Sequence, residues 1–142
     1  LLIRQPVPEQ GEVWLTVLDV GQGLAAAVQT RRHMLLYDAG PRLSPRFDTG
    51  EAVVVPFLRW QGIRKLDTLI ISHGDNDHMG GARSVLAAIP AARVLTGSPE
   101  AMRWTAMNPA VTVRCGSGTA SSSRSSAPPR AGLRPAMTAP VY

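Results

Sequence analysis

The chain has 142 residues, 44% of them hydrophobic but only 5% aromatic, and it carries 15 basic against 10 acidic side chains for a net charge of +5. That bounds it to one domain at most, with a core built from Val, Leu, Ile and Ala. The charge balance suits a polyanion such as nucleic acid or an anionic membrane surface, and equally a plain basic surface. No stretch approaches the ~20 apolar residues of a transmembrane helix, and the single cysteine, Cys115, leaves no internal disulfide partner.

Pro6 and Pro8 mark an extended entry, so residues 1–12 read as a linker. Val13 to Val20 is rich in β-branched and apolar residues and predicts a strand, which Gly21-Gln22-Gly23 breaks. Leu24 to Thr30 and His33 to Tyr37 predict two more strands, and Asp38-Ala39-Gly40-Pro41 closes the unit. Arg42 to Thr49 reads as a loop. Gly50 to Trp60 reads as a helix or helical turn that Pro56 kinks and Gly62 ends. Asp67 to Ser72 predicts a strand, Ala82 to Ile89 a short helix before Pro90, Ala92 to Leu95 a strand and Glu100 to Met107 a helix. Strands first, then strands alternating with helices, argue for an α/β architecture. From Gly116 onward the chain is Ser, Ala, Pro, Arg and Gly with neither a strand nor a helix period, which reads as an irregular tail over residues 116–142.

The run His73-Gly74-Asp75-Asn76-Asp77-His78 is the most informative stretch. It places two imidazoles and two carboxylates in one short turn, between the apolar run Leu69-Ile70-Ile71 and a Gly80-Gly81 pair. A strand that delivers such side chains to a Gly-ended loop is how a metal site is built at a strand end, and the mix of nitrogen and oxygen donors suits zinc, manganese or iron. The plain alternative is a polar surface turn. His33, the third histidine, starts an apolar strand with no acidic neighbour in sequence and reads as structural.

Residues 13 to 90 resemble the metallo-β-lactamase-like domain at the C-terminus of ComEC-type competence proteins. Asp19-Val20-Gly21-Gln22-Gly23 looks like that family's opening motif, Leu35-Leu36-Tyr37-Asp38-Ala39-Gly40 like its next strand and turn, and Ser72 to Gly81 like its metal loop, with Asp75 where most of the superfamily carries His. The resemblance implies an αββα sandwich, of which residues 13–115 would be roughly the first half. It also implies a domain of a DNA-uptake protein of the bacterial inner membrane, on the extracytoplasmic side. Its partners would be single-stranded DNA and the membrane channel of the same polypeptide. The implied activity is metal-dependent hydrolysis of the non-transported DNA strand.

Two divalent ions, zinc or manganese and roughly 3.5–4 Å apart, would clamp a phosphodiester. By the resemblance His73 and Asp75 would hold one ion and Asp77 and His78 the other, with Asp77 also placed to orient the nucleophile. Asp19 and Asp38 would either support the ligands from behind or only shape turns. Gly80 and Gly81 would let the backbone pass close to the site. Gln22, Arg42 and Arg46 are weaker candidates for substrate contact, and Arg59, Arg64 and Lys65 are further basic residues that could meet phosphates. Trp14, Trp60 and Trp104 do not interleave with the arginines and are expected in core or interface packing.

The chain departs from the family after residue 78. No His follows His78, no Asp follows Asp77, and only Glu100 and Cys115 remain as donors. A two-ion site is therefore expected to be incomplete here, and this chain inactive, with an uncovered apolar sheet face. The tail invites a frameshift reading. Back-translated with one codon choice and read from the third base, Ser117 to Ser122 gives Trp-Asp-Gly-Val-Glu, and Ala136 to Tyr142 gives Asn-Asp-Arg-Ser-Cys-Val in the same frame. Both look like later motifs of the family. The rival is a genuine basic tail. Other expectations held open are a small-ester or lactam hydrolase of the same superfamily and a non-catalytic DNA-contacting fragment.

Overall fold

The computed structural model describes residues 5–98 and the backbone of residues 112–114. The helix expected over Glu100 to Met107, Cys115 and the tail lie outside the described residues.

Six strands form one sheet. In chain order the elements are β1 (Trp14–Val17), β2 (Ala26–Gln29), β3 (Met34–Tyr37), β4 (Arg42–Ser44), β5 (Phe47–Asp48), α1 (Val55–Trp60), β6 (Leu66–Ile71), α2 (Asn76–Met79), α3 (Ala82–Ala88), β7 (Ala91–Thr96) and β8 (Thr112–Arg114). The large sheet runs β1-β2-β3-β6-β7-β8, and β4 pairs only with β5. β1, β2 and β3 form an antiparallel meander, whereas β3, β6, β7 and β8 are parallel. Parallel neighbours need crossovers, and α1 and α3 supply the two between β3 and β7.

The register sorts the sheet into two faces. Ala27, Leu36, Leu69 and Val94 align across four strands and are buried at 2% exposure or less. They share one core with Val54, Val55 and Leu58 of the first helical segment and Ala82, Val85 and Leu86 of α3. The other face aligns Val17, Ala26, Tyr37, Ile70 and Leu95, and Leu15 with Val28 and Leu35. On it Leu15 and Val17 are 65% and 66% exposed. The exposure is confined to the edge strand β1: Ala26 is buried and Val28, Leu35, Tyr37, Ile70 and Leu95 are half-buried.

Several local expectations need correction. Arg42 to Thr49 is not an open loop but a small hairpin, β4 to β5, because Pro45-Arg46 turns the chain tightly and Arg42 regains a partner in Asp48. The helix after it opens with a π-helical turn over Gly50–Val54, in which the Val55 N–H reaches back to the Gly50 carbonyl. Pro56 then sits in the first turn of α1, where its missing N–H costs little. It therefore follows a change of helix pitch instead of kinking a continuous helix. The helix ends as the sequence indicates: Gly62 has φ +75°, the Gly62 N–H bonds Arg59 O and the Ile63 N–H bonds Leu58 O. Those are the two bonds of a Schellman cap. Trp60 is 61% exposed and Trp14 37%, so neither is a core residue. In α1 the buried positions go to Val55 and Leu58.

Candidate metal centre

β3 and β6 are parallel neighbours, so their C-terminal ends open to the same side. β3 ends into Asp38 and β6 into Ser72, and the turn of α2 follows directly. Backbone bonds pin this junction from several directions. Asp38 N–H donates to Ile70 O, Ala39 N–H to His78 O, Gly40 N–H to Leu24 O, Gly81 N–H to Gly40 O, and Leu24 N–H to Asp77 O. Inside the loop the His78 and Met79 N–H groups bond Asp75 O, which makes α2 a single helical turn.

Asp38 is the hub. It is fully buried and its φ is +57°, a left-handed conformation that Asp tolerates better than most residues. Its carboxylate accepts the Ser72 N–H at 2.8 Å and the Ser72 hydroxyl at 2.7 Å, and lies 2.7 Å from His78 Nδ1. An ionised carboxylate can only accept, so His78 Nδ1 carries the proton and Nε2 is left as a donor atom for an ion. The same logic reaches His73. The Ser72 hydroxyl spends its proton on Asp38, so at 2.9 Å it accepts from His73 Nδ1, which frees His73 Nε2. One buried carboxylate thus orders both imidazoles, directly for His78 and through Ser72 for His73.

The ligand-type side chains converge. The two imidazole rings are 3.9 Å apart, centre to centre, and tilted by 50°. His73, Asp77 and His78 offer ligand atoms that all lie within 4.8 Å of one another. His73 Nε2 is 3.4 Å from Asp75 Oδ2, and His78 Nε2 is 3.4 Å from Asp77 Oδ2. Two donors each about 2.0–2.1 Å from a tetrahedral ion lie about 3.3 Å apart, so both pairs have a spacing that suits a shared ion. Asp75 stands outside the group of three, with a side chain 78% exposed.

The remaining candidates fall into place around this cluster. Asp19 is exposed and its Oδ1 accepts the Gly21 N–H at 3.1 Å, so it shapes the turn that carries the exposed Gln22. Gly80 and Gly81 serve backbone packing. A Cβ on Gly80 would strike the Arg42 N and Asn76 O atoms, and one on Gly81 would strike Ala39 O and the Gly50 backbone. Arg42 lies beside the loop, with one guanidinium nitrogen 3.9 Å from the buried Asp48. Arg46 is at the exposed hairpin turn, where its N–H bonds Ser44 Oγ.

Three residues that matter were not singled out from the sequence. Ser72 links Asp38 to His73, as above. The Asn76 side chain brackets the Arg42 backbone, accepting its N–H at 3.2 Å and donating to its carbonyl at 3.0 Å. Asp48, 3% exposed, accepts the Glu51 N–H and the Ser84 hydroxyl and so caps the helical segment. The spacing Asp48-x-x-Glu51 was the available signal for that cap. His33 does gain an acidic neighbour in space: its Nδ1 lies 3.4 Å from Asp67 Oδ1, at the opposite end of the sheet. The Asp67 carboxyl is held below its ordinary value of 3.8, first by the Met34 N–H that it accepts, then by His33 and Lys65, against partial burial.

Comparison with known proteins agrees with this architecture. The Metallo-beta-lactamase superfamily profile matches residues 18–107. "Competence protein ComA" of Neisseria gonorrhoeae is 42% identical over 96 residues, 68% of this chain and 13% of that protein. "Recombination protein 2" of Haemophilus influenzae is 42% identical over 81 residues, 57% of this chain and 10% of that protein. "ComE operon protein 3" of Bacillus subtilis is 36% identical over 98 residues, 61% of this chain and 12% of that protein. The chain thus spans about a tenth of the length of these relatives, and the likeness to competence proteins expected from the three motifs is upheld. With its sheet order, its strand-end loop and a match over most of its length, the chain belongs to the metallo-beta-lactamase superfamily.

Proposed function

We propose that this chain supplies the metal-loop portion of a metal-dependent hydrolase domain in a DNA-uptake protein of the bacterial inner membrane, acting on the DNA strand that is not transported. The observation that carries the reading is the convergence of His73, Asp77 and His78 within 4.8 Å, with Asp38 fixing the tautomer of His78. The competence proteins among its relatives support the DNA context. Among the described residues no helix is long and apolar enough to cross a membrane, so the membrane portion in this reading belongs to the longer polypeptide.

A divalent ion held here would polarise a phosphoryl oxygen and lower the pKa of a bound water. The chain's own residues do the rest. His73, Asp75, Asp77 and His78 provide ligand atoms, and in the two-ion form His73 with Asp75 and Asp77 with His78 make the two halves. Asp38 and Ser72 hold the imidazoles ready. No His or Asp follows position 78, so the proposal assigns this chain part of the ligand set and no turnover by itself.

The test uses the chain alone and the chain grafted in place of the matching segment of ComA. Alone, it takes up manganese or zinc and cleaves nothing. Grafted, it restores cleavage of single-stranded DNA but not of a generic ester, and His73→Ala or Asp77→Ala abolishes it. Ester cleavage without DNA cleavage would establish the small-ester reading. DNA binding in EDTA with no metal uptake would establish a non-catalytic contact fragment.

A further inference from the structure

The exposed apolar side chains of the large sheet gather on one strand. Leu15 and Val17 of β1 stand well out of the sheet, Val13 just before them is 61% exposed, and Trp14 is partly exposed. β1 ends the six-stranded sheet, paired on one side with β2. Its other side carries none of the devices that blunt an edge. Val13 to Leu18 holds no proline, no glycine and no charged residue, and β1 pairs with β2 in unbroken register.

Two hydrogen bonds fix which way each backbone group of β1 points, because bonded and non-bonded positions alternate along an antiparallel pair. The Leu18 N–H donates to Ala25 O at 2.9 Å, so Thr16, opposite Ala27, and Trp14, opposite Gln29, also turn toward β2. The Thr30 N–H donates to His33 O at 2.9 Å, which turns Val28 and Ala26 toward β3 and leaves Ala27 and Gln29 to face β1, in agreement. Leu15 and Val17 therefore aim their N–H and C=O groups away from the sheet. Among the described residues nothing bonds them there.

That outward row is its own complement. Laid antiparallel to a second copy about a two-fold axis at Thr16, Leu15 of each copy faces Val17 of the other. Each such pair exchanges two N–H···O=C bonds, and Thr16 sits across from its own counterpart. Leu15 and Val17 of both copies then form one apolar cluster on one face, and no charged residue enters the paired stretch. The pairing removes roughly 500 Å² per copy from water, about 1,000 Å² in all, which is less than a standard interface and suits a weak, reversible dimer.

We propose that β1 is a self-association edge, through which two copies of this chain pair antiparallel, Leu15 against Val17, into one continuous sheet. The inference is independent of the metal reading, since β1 contributes no ligand, and its test is run in EDTA.

Sedimentation velocity of the intact chain from about 1 to 300 µM tests it, with amide hydrogen exchange read residue by residue at both ends of that range. The expected result is a monomer–dimer equilibrium in which the Leu15 and Val17 amides exchange freely when dilute and slow about tenfold or more when concentrated. The Trp14 and Thr16 amides, bonded to β2, are protected in both samples. Leu15→Lys puts an ammonium group into the apolar cluster and weakens the dimer about tenfold or more, with an unchanged melting temperature in dilute solution showing that the fold survives. Val17→Lys repeats the test at the second outward position. Leu43→Lys, at an equally exposed leucine on the β4–β5 hairpin, leaves the dimer intact. A monomer throughout the range, or association that continues past the dimer, would overturn the proposal. So would a dimer indifferent to both β1 substitutions, one lost equally in Leu43→Lys, or one in which the Leu15 and Val17 amides exchange as fast as in the monomer.

Discussion

The two ends of β6 carry opposite chemistries. Its C-terminal end opens into Ser72 to His78, where carboxylates and imidazoles crowd around the buried Asp38. Its N-terminal end is entered through the exposed Arg64 and Lys65, with Arg59 and Arg64 lining one cleft there. One strand separates them, and the parallel pairing of β3 with β6 decides which end collects the ligands. Open α/β sheets bind at the carboxyl ends of their strands because the strand-to-helix loops gather there. The basic residues that lie near the metal motif in sequence are therefore divided by the fold. Arg42 stays with the loop, while Arg59 and Arg64 are carried to the far end.

The first way to break this comparison is at the loop. His78→Ala is expected to weaken binding of zinc or manganese by about a hundredfold or more, since it deletes a ligand, while Asp38 keeps its two bonds from Ser72. Equilibrium dialysis with the metal checks this. A smaller effect follows behind the ligands. Asp38→Asn keeps the shape but can offer its NH₂ to His78 in place of an acceptor. It is expected to cost about 10–100-fold in metal affinity, with most of the fold retained.

Next is the backbone that sets the loop against the β3 turn. Gly81→Ala drives a methyl into the Ala39 carbonyl and the Gly50 backbone. A loss of about 1–3 kcal/mol in urea unfolding is expected from such overpacking. The smallest effect sits at the N-terminal end, where Asp67 has a lowered pKa. A lowered folded value means stability that is present above the unfolded pKa and lost as pH falls through the folded one. The melting-temperature difference between wild type and Asp67→Asn should therefore be constant at neutral pH and shrink below about pH 4. Asp67 is 47% exposed, so the difference is small.

Much of this was legible in the sequence because it is periodic or punctuated. The apolar runs gave β1, β3, β6 and β7, Gly62 gave the end of α1, and the density of His and Asp after Ile71 gave the loop. What was not legible depends on contacts between distant segments. Asp38 read equally as a support for the ligands or as a turn residue, and the partners that decide it, Ser72 and His78, lie 34 and 40 positions away. Ser72 has no chemical signal of its own until Asp38 takes its proton and His73 meets its oxygen. The β4–β5 hairpin was hidden because three- and two-residue strands carry too little alternation to read. That Arg59 and Arg64 end up away from the loop follows from chain order, but the placing of Arg42 beside it was hidden, because it depends on the β4–β5 hairpin and on the Asn76 side chain that brackets the Arg42 backbone.

The central claim is that His73, Asp77 and His78, ordered by Asp38, hold a divalent ion. The most direct measurement is calorimetric titration of the intact chain with zinc and with manganese, alongside His73→Ala, Asp77→Ala and His78→Ala. Saturable uptake of at least one of the two ions by the wild type, lost or strongly weakened in all three variants, is the result the account predicts. No uptake of either ion, or uptake unchanged by the substitutions, would contradict it.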